Sequence, residues 1–224
     1  MFFSQDRFNR EPGRQIKREE LLQKKLALFF YTVRWEYRDL LVLNVLFVAF
    51  CIPIVTIPAA MTAMSKVMMR MLMDKTTYVF VDFLAAFKKE WKRATVAGLI
   101  LFPLLLTTGF GVYYYFVTAD FLLMIIPSVF FVMLFMAGFY LFPMIGMIDI
   151  GLKSAIKNAF LLVFLRLSQN ILAFGLIMII TLFVLTNLPY TIPVLMIGFF
   201  ALVGLIIVYC AYTGLRKYVN AGEL

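Results

Sequence analysis

Ionisable side chains that lie within or beside long apolar stretches are the residues of this chain that could do chemistry. Lys66 and Arg70 lie one helical turn apart inside one such stretch, and Asp149 directly follows another. Burying a charge in hydrocarbon is costly, so such residues mark functional sites unless they reach water or a partner. Long basic side chains near a helix end reach the interface, which we expect for Lys66 and Arg70. A carboxylate at a helix C-terminus needs a basic partner; we expect a structural salt bridge with Lys153, since Arg70 or Arg166 would require tertiary packing.

Uncharged polar side chains inside the apolar stretches are the second group of candidates. Asn44, Gln169 and Asn170 carry amide groups that can hydrogen-bond between helices. No run of acidic residues accompanies them, so a proton relay is not expected. Polar groups in such positions usually join neighbouring helices, each contributing about 0.6 kcal/mol. We therefore expect these three residues to hold helices together, and we keep them as candidate site positions beside the charged residues above.

The chain lacks the residue types and motifs on which most enzymes depend. It contains no histidine, and its two cysteines, Cys51 and Cys210, stand apart in apolar stretches. Histidine is the commonest metal ligand and the commonest general base at neutral pH. No nucleotide-binding loop, zinc motif or nucleophile elbow is present. We therefore expect no catalytic site, no metal, no cofactor and no disulfide framework.

The composition is that of an integral membrane protein. Hydrophobic residues make up 64% of the chain and charged residues 15%, against roughly 45–50% and 25% in soluble domains. The net charge of +9 could suggest nucleic acid, but the charges form strips that flank long apolar runs. Such strips suit the anionic inner leaflet of a bilayer, at about 1 kcal/mol per basic residue. We expect the lipid bilayer as a partner and no nucleic acid.

The distribution of the 21 basic residues indicates the topology. Nine lie in residues 1–38, seven in 66–93, three in 153–166 and two at 216–217. None remains for the turns around Asp120 and Asn187. Because short cytoplasmic loops carry the excess of lysine and arginine, the four strips are expected inside and the two turns outside. This arrangement predicts a multi-pass protein with both termini in the cytoplasm.

The pattern predicts an all-α membrane protein with six membrane helices, of which the first two form a hairpin over 39–75. Residues 40–55 would go out and 57–74 would return, with Pro53 and Pro58 at the apex because proline interrupts helices. The alternative is a single span over 40–60, which would leave basic strips on both sides of the membrane. Residues 1–38 precede the hairpin as a basic amphipathic segment in the cytoplasmic interface.

The rest of the chain divides into two similar units, 76–148 and 149–215, before a tail at 216–224. Each unit is predicted to contain a cytoplasmic amphipathic helix (78–94 or 150–166), an outward span (95–117 or 167–186) and a returning span (121–148 or 192–213). The matched residues are Ala86, Phe87, Trp91, Arg93 and Thr95, then Ala159, Phe160, Phe164, Arg166 and Ser168. Both units have the same orientation, so the repeat is parallel. The alternative is that the similarity arose by chance between two amphipathic segments that each precede a membrane span.

The two predicted amphipathic helices are candidate docking elements. Along 78–94 the aromatic residues are expected on one side of the helix and the basic residues on the other, and we expect both helices to suit docking at the cytoplasmic face. The candidate docking residues are Phe87, Lys88, Trp91, Arg93, Phe160 and Arg166.

Two blocks of sequence resemble a known family. Asn44 followed by residues 52–63 (IPIVTIPAAMTA) resembles the signature of the YesL family of bacterial integral membrane proteins, where an Asn precedes a PIVTIGPA-like run. Residues 83–94 (FLAAFKKEWKRA) are similar to the Phe-rich and Lys-rich block of that family. Pro58 stands where the family more usually has glycine. The resemblance covers most of residues 26–217.

The resemblance implies a bacterial plasma-membrane protein associated with carbohydrate uptake. Members of the family look like accessory proteins encoded beside carbohydrate ABC importers, and no catalytic residues can be carried over. The leading hypothesis is therefore a non-enzymatic partner of an ABC importer permease or ATPase that docks through its basic cytoplasmic face. A stand-alone small-solute transporter or channel built from the two repeats is the first alternative, and a membrane signalling or assembly protein is the second. The oligomeric state stays open.

Overall fold

All regular structure in the described part of the chain is helical. The computed structural model describes residues 25–73, 77–188, 190–192 and 198–218. Its elements are α1 (Lys25–Trp35), α2 (Tyr37–Cys51), a 3-10 turn (Ile54–Thr56), α3 (Ile57–Leu72), α4 (Val79–Val117), α5 (Phe121–Met147), α6 (Leu152–Leu165), α7 (Leu167–Thr186) and α8 (Phe200–Tyr218). The all-α class is confirmed. Most of the predicted amphipathic segment 1–38 and most of the tail 216–224 lie outside the described residues.

Three of these helices are long and apolar enough to cross a membrane. They are α4, α5 and α7, while α8 has a shorter apolar part over Phe200–Leu215. The predicted spans 121–148 and 167–186 coincide with α5 and α7. Helices α2 and α3 have 15 and 16 residues, which corresponds to about 22 and 24 Å of helix. Both helices are shorter than a hydrocarbon core of about 30 Å, and six spans are not confirmed.

Helix α4 corrects the predicted division at residue 95. The amphipathic stretch 78–94 and the apolar stretch 95–117 form one helix of 39 residues. The charges at 88–93 suggested a separate cytoplasmic amphipathic helix, yet no proline or glycine stands at the predicted boundary to break the helix. Phe83, Ala86 and Ala94 are buried in the bundle, so this half of α4 is held by packing. The same helix continues through its apolar half, which contains Pro103.

Helices α4 and α5 form an antiparallel hairpin. The positions of Gly111 and Gly109 face Pro127 and Phe131, and Gly138 faces Leu101. The far end of the hairpin, around the turn at 118–120, is lined by exposed apolar side chains, as expected of surface that faces lipid. The core of the protein lies at the other end of the hairpin.

Helix α3 lies at the centre of the bundle. It packs against α2, α4, α5 and α8, and its buried side chains include Met68, Met69 and Leu72. Its first turn meets α4 at Gly98, whereas Arg70 near its end binds Asp82 of α4. Helix α3 therefore runs antiparallel to the first half of α4, the half that carries the basic residues. The predicted single span 40–60 is not formed, because α2 ends at Cys51 and α3 begins at residue 57.

Helix α6 lies within the predicted amphipathic helix at 150–166. It packs against α5 through Ala155, Ala159 and Val163, which are fully or almost fully buried. With Ala97 and Leu101 of α4, it lines a small cavity of about 40 Å³. The small alanine side chains allow this close approach, which amphipathic periodicity alone did not indicate. Helix α7 begins directly after Arg166.

Candidate functional site

A cluster of charged side chains joins α4 to the segment between α5 and α6; we call Lys89, Glu90, Arg93 and Asp149 the charged cluster. Glu90 is only 2% exposed, and its Oε2 accepts a hydrogen bond of 3.0 Å from Arg93 Nη1. Lys89 Nζ lies 3.7 Å from Glu90 Oε1. Arg93 also donates from Nη2 to the carbonyl oxygen of Ile150. A buried carboxylate with a cation one turn away is stabilised only while that cation remains, so Arg93 both neutralises Glu90 and anchors the following segment.

Asp149 forms a salt bridge, but its partner is not Lys153. Lys89 Nζ lies 3.3 Å from Asp149 Oδ1, and Arg93 Nη1 lies 3.8 Å from the same atom. Residues 148–151 are not helical, and α6 begins only at Leu152, so Asp149 is not on a helix with Lys153 one turn away. The packing of α4 against the segment between α5 and α6 therefore brings Lys89 and Arg93, and not Lys153, to Asp149. Because the Asp149 side chain is 77% exposed, the bridge contributes little to stability.

Arg70 reaches a carboxylate of the first turn of α4. Its Nη1 lies 2.8 Å from Oδ1 of Asp82, while Asp82 Oδ2 accepts a hydrogen bond of 2.8 Å from the backbone N–H of Tyr78. A carboxylate in this position satisfies an unpaired donor and complements the helix dipole. Arg70 is thus part of the link between α3 and α4 and does not simply extend into solvent.

Lys66 is the half-buried cation near this link. Burial lowers the pKa of Lys66 below its usual value, the Lys89 ammonium lowers it further, and the Glu90 and Asp149 carboxylates oppose the shift. Its Cβ lies close to Gly146 of α5. Lys66 therefore stands where α3, α4 and α5 meet, beside the charged cluster.

Arg166 is buried at the junction of α6, α7 and α8. It is 8% exposed, and its Nη1 donates to the carbonyl oxygen of Cys210 at 3.1 Å and to Thr213 Oγ1 at 2.7 Å. A Cβ added to Gly214 would lie 3.1 Å from that nitrogen, so the glycine leaves room for the guanidinium. No carboxylate of the described residues lies within 4 Å of Arg166. The guanidinium is stabilised by a carbonyl and a hydroxyl group of α8. Arg166 therefore links the end of α6 to α8.

The two amide residues at the start of α7 have different roles. Asn170 is fully buried; its Oδ1 accepts a hydrogen bond of 2.5 Å from the hydroxyl of Tyr140, and its Nδ2 donates to the carbonyl of Val163 at 3.1 Å. Gln169 lies on the exposed surface. The structure therefore assigns the interhelical bonds to Asn170 alone of this pair.

Asn44 joins two helices that are far apart in sequence. Its side chain is fully buried, and Oδ1 accepts a hydrogen bond of 2.9 Å from the backbone N–H of Ala201. That N–H belongs to α8, just after the π-helical residues 198–199. Asn44 thus joins α2 to the start of α8 as the structure describes it.

The six predicted docking residues are not all on the surface. Phe87 packs against Phe50, with ring centroids 4.9 Å apart, and Phe160 packs against the core. Arg93 and Arg166 are engaged in the contacts described above. Lys88 and Trp91 remain exposed. A docking role stays a prediction, and only these last two side chains are available for it without rearrangement.

The cavities among the described residues are mostly apolar. One of about 100 Å³ lies between α2, α3, α5 and α8, with Ser65 as its polar member besides backbone. A cleft of about 330 Å³ lies between α4 and α5 near their far end, with Thr107 and Thr108 on one wall. Within the described residues no group of three His, Cys, Asp or Glu side chains could hold a metal ion. The polar groups described above thus join helices.

Sequence reasoning missed several residues of these networks. Asp82 and Glu90 were overlooked among the neighbouring lysines and arginines, and Tyr140 and Thr213 among apolar residues. For Glu90 a signal existed, since Lys89 and Arg93 stand one and three residues away on the same helix. For Tyr140 and Thr213 no local signal existed, because their partners lie on other helices.

These observations define a helical membrane protein whose charged residues gather beside one half of its longest helix. Residues 40–112 match the model of a family described as "Protein of unknown function, DUF624"; YesL proteins are members of that family. The match covers α2 from Leu40, α3 and most of α4, and it includes both blocks that resemble YesL proteins. Comparisons with curated proteins and with solved structures gave no match.

Proposed function

We propose that this protein is a non-enzymatic partner of a carbohydrate ABC import system in the bacterial plasma membrane. What supports the proposal is the resemblance to YesL proteins in residues 52–63 and 83–94, together with the DUF624 match over 40–112. In this proposal the chain is a YesL-like protein that docks with the permease or ATPase subunits through its basic cytoplasmic face.

The observation that carries the proposal is an exposed stripe on the first half of α4. We call Val81, Ala85, Lys88, Trp91 and Lys92 the α4 stripe; all five are exposed. Val81, Ala85, Lys88 and Lys92 recur at three- and four-residue steps, and Trp91 lies three residues after Lys88, so the five lie along one side of the helix. The opposite face is buried in the bundle. An exposed tryptophan between lysines is a combination that protein interfaces favour on one partner when the other is acidic.

The proposal places both termini and the α4 stripe in the cytoplasm. Basic residues are concentrated in the first half of α4, and none lies in the turn at 118–120, which fits the tendency of lysine and arginine to stay inside. Helices α4, α5 and α7 would cross the bilayer, and α8 would return the chain. The termini lie on the same side whether or not the α2–α3 hairpin crosses.

The two parallel repeats are part of the proposal. Helices α4 and α6 begin at residues 79 and 152, an offset of 152 − 79 = 73, the same offset that relates the matched sequence blocks. Arg93 and Arg166 correspond in this alignment, and each donates to a backbone carbonyl of a later segment. One difference is that α4 continues through Arg93, whereas the second helix is interrupted at Arg166.

Site-specific photocrosslinking in native membranes tests the function. A crosslinking amino acid at Lys88 or Lys92 should capture a permease or ATPase subunit of a carbohydrate importer. Leu172, an exposed residue of apolar helix α7, is the matched control and should capture lipid only. Capture of lipid alone from all three positions would overturn the proposal, and solute uptake by the purified protein in liposomes would favour a transporter instead.

A further inference from the structure

We propose that the α2–α3 hairpin is re-entrant: it enters and leaves the bilayer on one side, with its turn among the acyl chains near the headgroups of that leaflet. The turn joins α2 to α3 through residues 52–56 and carries three of the more exposed apolar side chains of the protein. Ile52, Ile54 and Val55 are 81%, 78% and 67% exposed. No charged residue occurs between Asp39 and Lys66.

Contacts on both sides of the turn fix its position along α4. The ring of Phe50, just before the turn, packs against Phe83 and Phe87. The ring of Pro58, just after it, packs against Gly98. The turn therefore lies beside the part of α4 between residues 83 and 98, at the level of its basic residues. From Gly98 to Val117 α4 extends for about 28 Å more, so the turn is far from the opposite face of the bilayer.

Several polar groups of the turn are paired within the hairpin. Thr56 Oγ1 donates to the carbonyl oxygens of Phe50 and Pro53 at 2.5 and 2.6 Å, and the Thr56 N–H donates to Pro53 at 3.0 Å. The N–H of Ile57 donates to the carbonyl of Ile54, and proline contributes no N–H. Non-helical backbone is excluded from hydrocarbon when its polar groups are unpaired. These internal hydrogen bonds lower the free-energy cost of placing the turn among acyl chains.

The charge distribution around the hairpin matches the interface of a leaflet. Arg34 and Arg38 are exposed where the chain approaches α2, and Lys88 and Lys92 are exposed on α4 beside the turn. Basic residues at this level suit anionic headgroups, while an apolar face inserted about 5–10 Å reaches the upper acyl chains. Exposed apolar side chains of α2, namely Leu41, Val42 and Val45, extend the same surface. We therefore assign the hairpin surface to lipid acyl chains.

Cysteine labelling of the full chain in liposomes tests this assignment. In a background that carries Cys51→Ala and Cys210→Ala, single cysteines are introduced as Val55→Cys, Thr118→Cys and Lys88→Cys. A membrane-impermeant maleimide should label Thr118→Cys from one side and Lys88→Cys from the other. Val55→Cys should not react from the Thr118 side, and should react from the Lys88 side far more slowly than Lys88→Cys. Reaction after SDS denaturation confirms that the thiol is intact.

Labelling of Val55→Cys from the Thr118 side would show that the hairpin crosses the bilayer and would overturn the inference. Labelling as fast as that of Lys88→Cys would show a turn in water and would overturn it too. A nitroxide attached at residue 55 then separates lipid from protein contact. High accessibility to oxygen with low accessibility to a water-soluble nickel complex is expected, whereas low accessibility to both means that protein covers the turn. Ile54→Cys repeats the measurements if Val55→Cys does not fold.

Discussion

The ring of Pro58 occupies the space that a side chain at Gly98 would need. Pro58 stands near the start of α3, where proline is tolerated because the first helix donors lack partners in any case. Gly98 stands in the middle of α4 and lets the two helices approach closely. This contact fixes the position of α3 along the axis of α4. It thereby places Arg70 near Asp82 and Lys66 near the charged cluster.

Replacement of Gly98 by alanine is expected to destabilise the protein. The added methyl group overlaps the Pro58 ring, and overpacking of this kind costs about 1–3 kcal/mol, more than alanine gains in helix propensity. The free energy of unfolding, measured by SDS titration in mixed micelles, should fall accordingly. Gly175→Ala is the control, because a Cβ at Gly175 of α7 meets nothing within 4 Å. If both variants behave alike, the contact between Pro58 and Gly98 is not formed.

Removal of Arg93 is expected to destabilise the protein more than removal of the whole Glu90–Arg93 pair. Arg93→Leu leaves the buried Glu90 carboxylate without its closest cation, at up to about 3 kcal/mol. This loss of unfolding free energy lies at the lower end of the range for buried ion pairs, because Lys89 lies 3.7 Å from Glu90 and the Arg93 side chain is one third exposed. In the Glu90→Leu background the same Arg93→Leu change should cost less.

A double-mutant cycle of unfolding free energies measures this difference. Lys92→Leu is the matched control, because Lys92 is an exposed neighbour on the same helix and should couple to Glu90 only weakly. Additive effects of Glu90→Leu and Arg93→Leu would contradict the pairing seen in the structure.

Substitution of Arg166 by lysine is expected to weaken the junction between α6, α7 and α8. Both bonds come from one nitrogen, Arg166 Nη1; a lysine keeps the charge, but its side chain is one atom shorter and its ammonium cannot take the place of that guanidinium nitrogen without rearrangement. Hydrogen bonds to charged groups contribute about 1.5–3 kcal/mol, so the unfolding free energy should fall by that amount or less. Lys157→Met removes an exposed cation of α6 and should change it by less than about 0.5 kcal/mol. An unchanged stability of Arg166→Lys would mean that the bonds to α8 contribute nothing.

The long helices were the elements that the sequence predicted best. The bounds of α7, 167–186, agree with the prediction because Arg166 and Asn187 delimit an uninterrupted apolar run. The hydrophobic pattern of α5 was equally clear. Helix α4 was divided in error, since a change from amphipathic to apolar composition resembles a change of element even when the backbone continues. The composition of a segment indicates the surroundings of its helix, whereas helix-breaking residues such as proline and glycine indicate where the helix ends.

The partners of polar side chains were the least predictable feature. Asp149 was assigned to Lys153 because the two are close in sequence, yet it binds Lys89, 60 residues earlier. Arg166 was placed on a docking surface because it follows an aromatic pattern, and it is buried against α8. In both cases the pairing depends on how helices pack, and helix packing depends on small residues such as Ala155 and Gly214. Periodicity identifies a face of a helix but does not identify the element that covers it.

Replacement of Asn44 by leucine is expected to detach the start of α8 from α2. Leucine has the same branching and the same number of side-chain heavy atoms as asparagine, but it cannot accept the hydrogen bond from the Ala201 N–H. A buried donor left without a partner costs about 1–3 kcal/mol, and the first turn of α8 should open with it. Hydrogen exchange at residues 200–204 should therefore rise together with a fall in unfolding free energy. Asn187→Leu, at an exposed turn, is the control and should leave exchange in α8 unchanged. Equal exchange in α8 of Asn44→Leu and of the unmodified protein would show that Asn44 does not hold this helix.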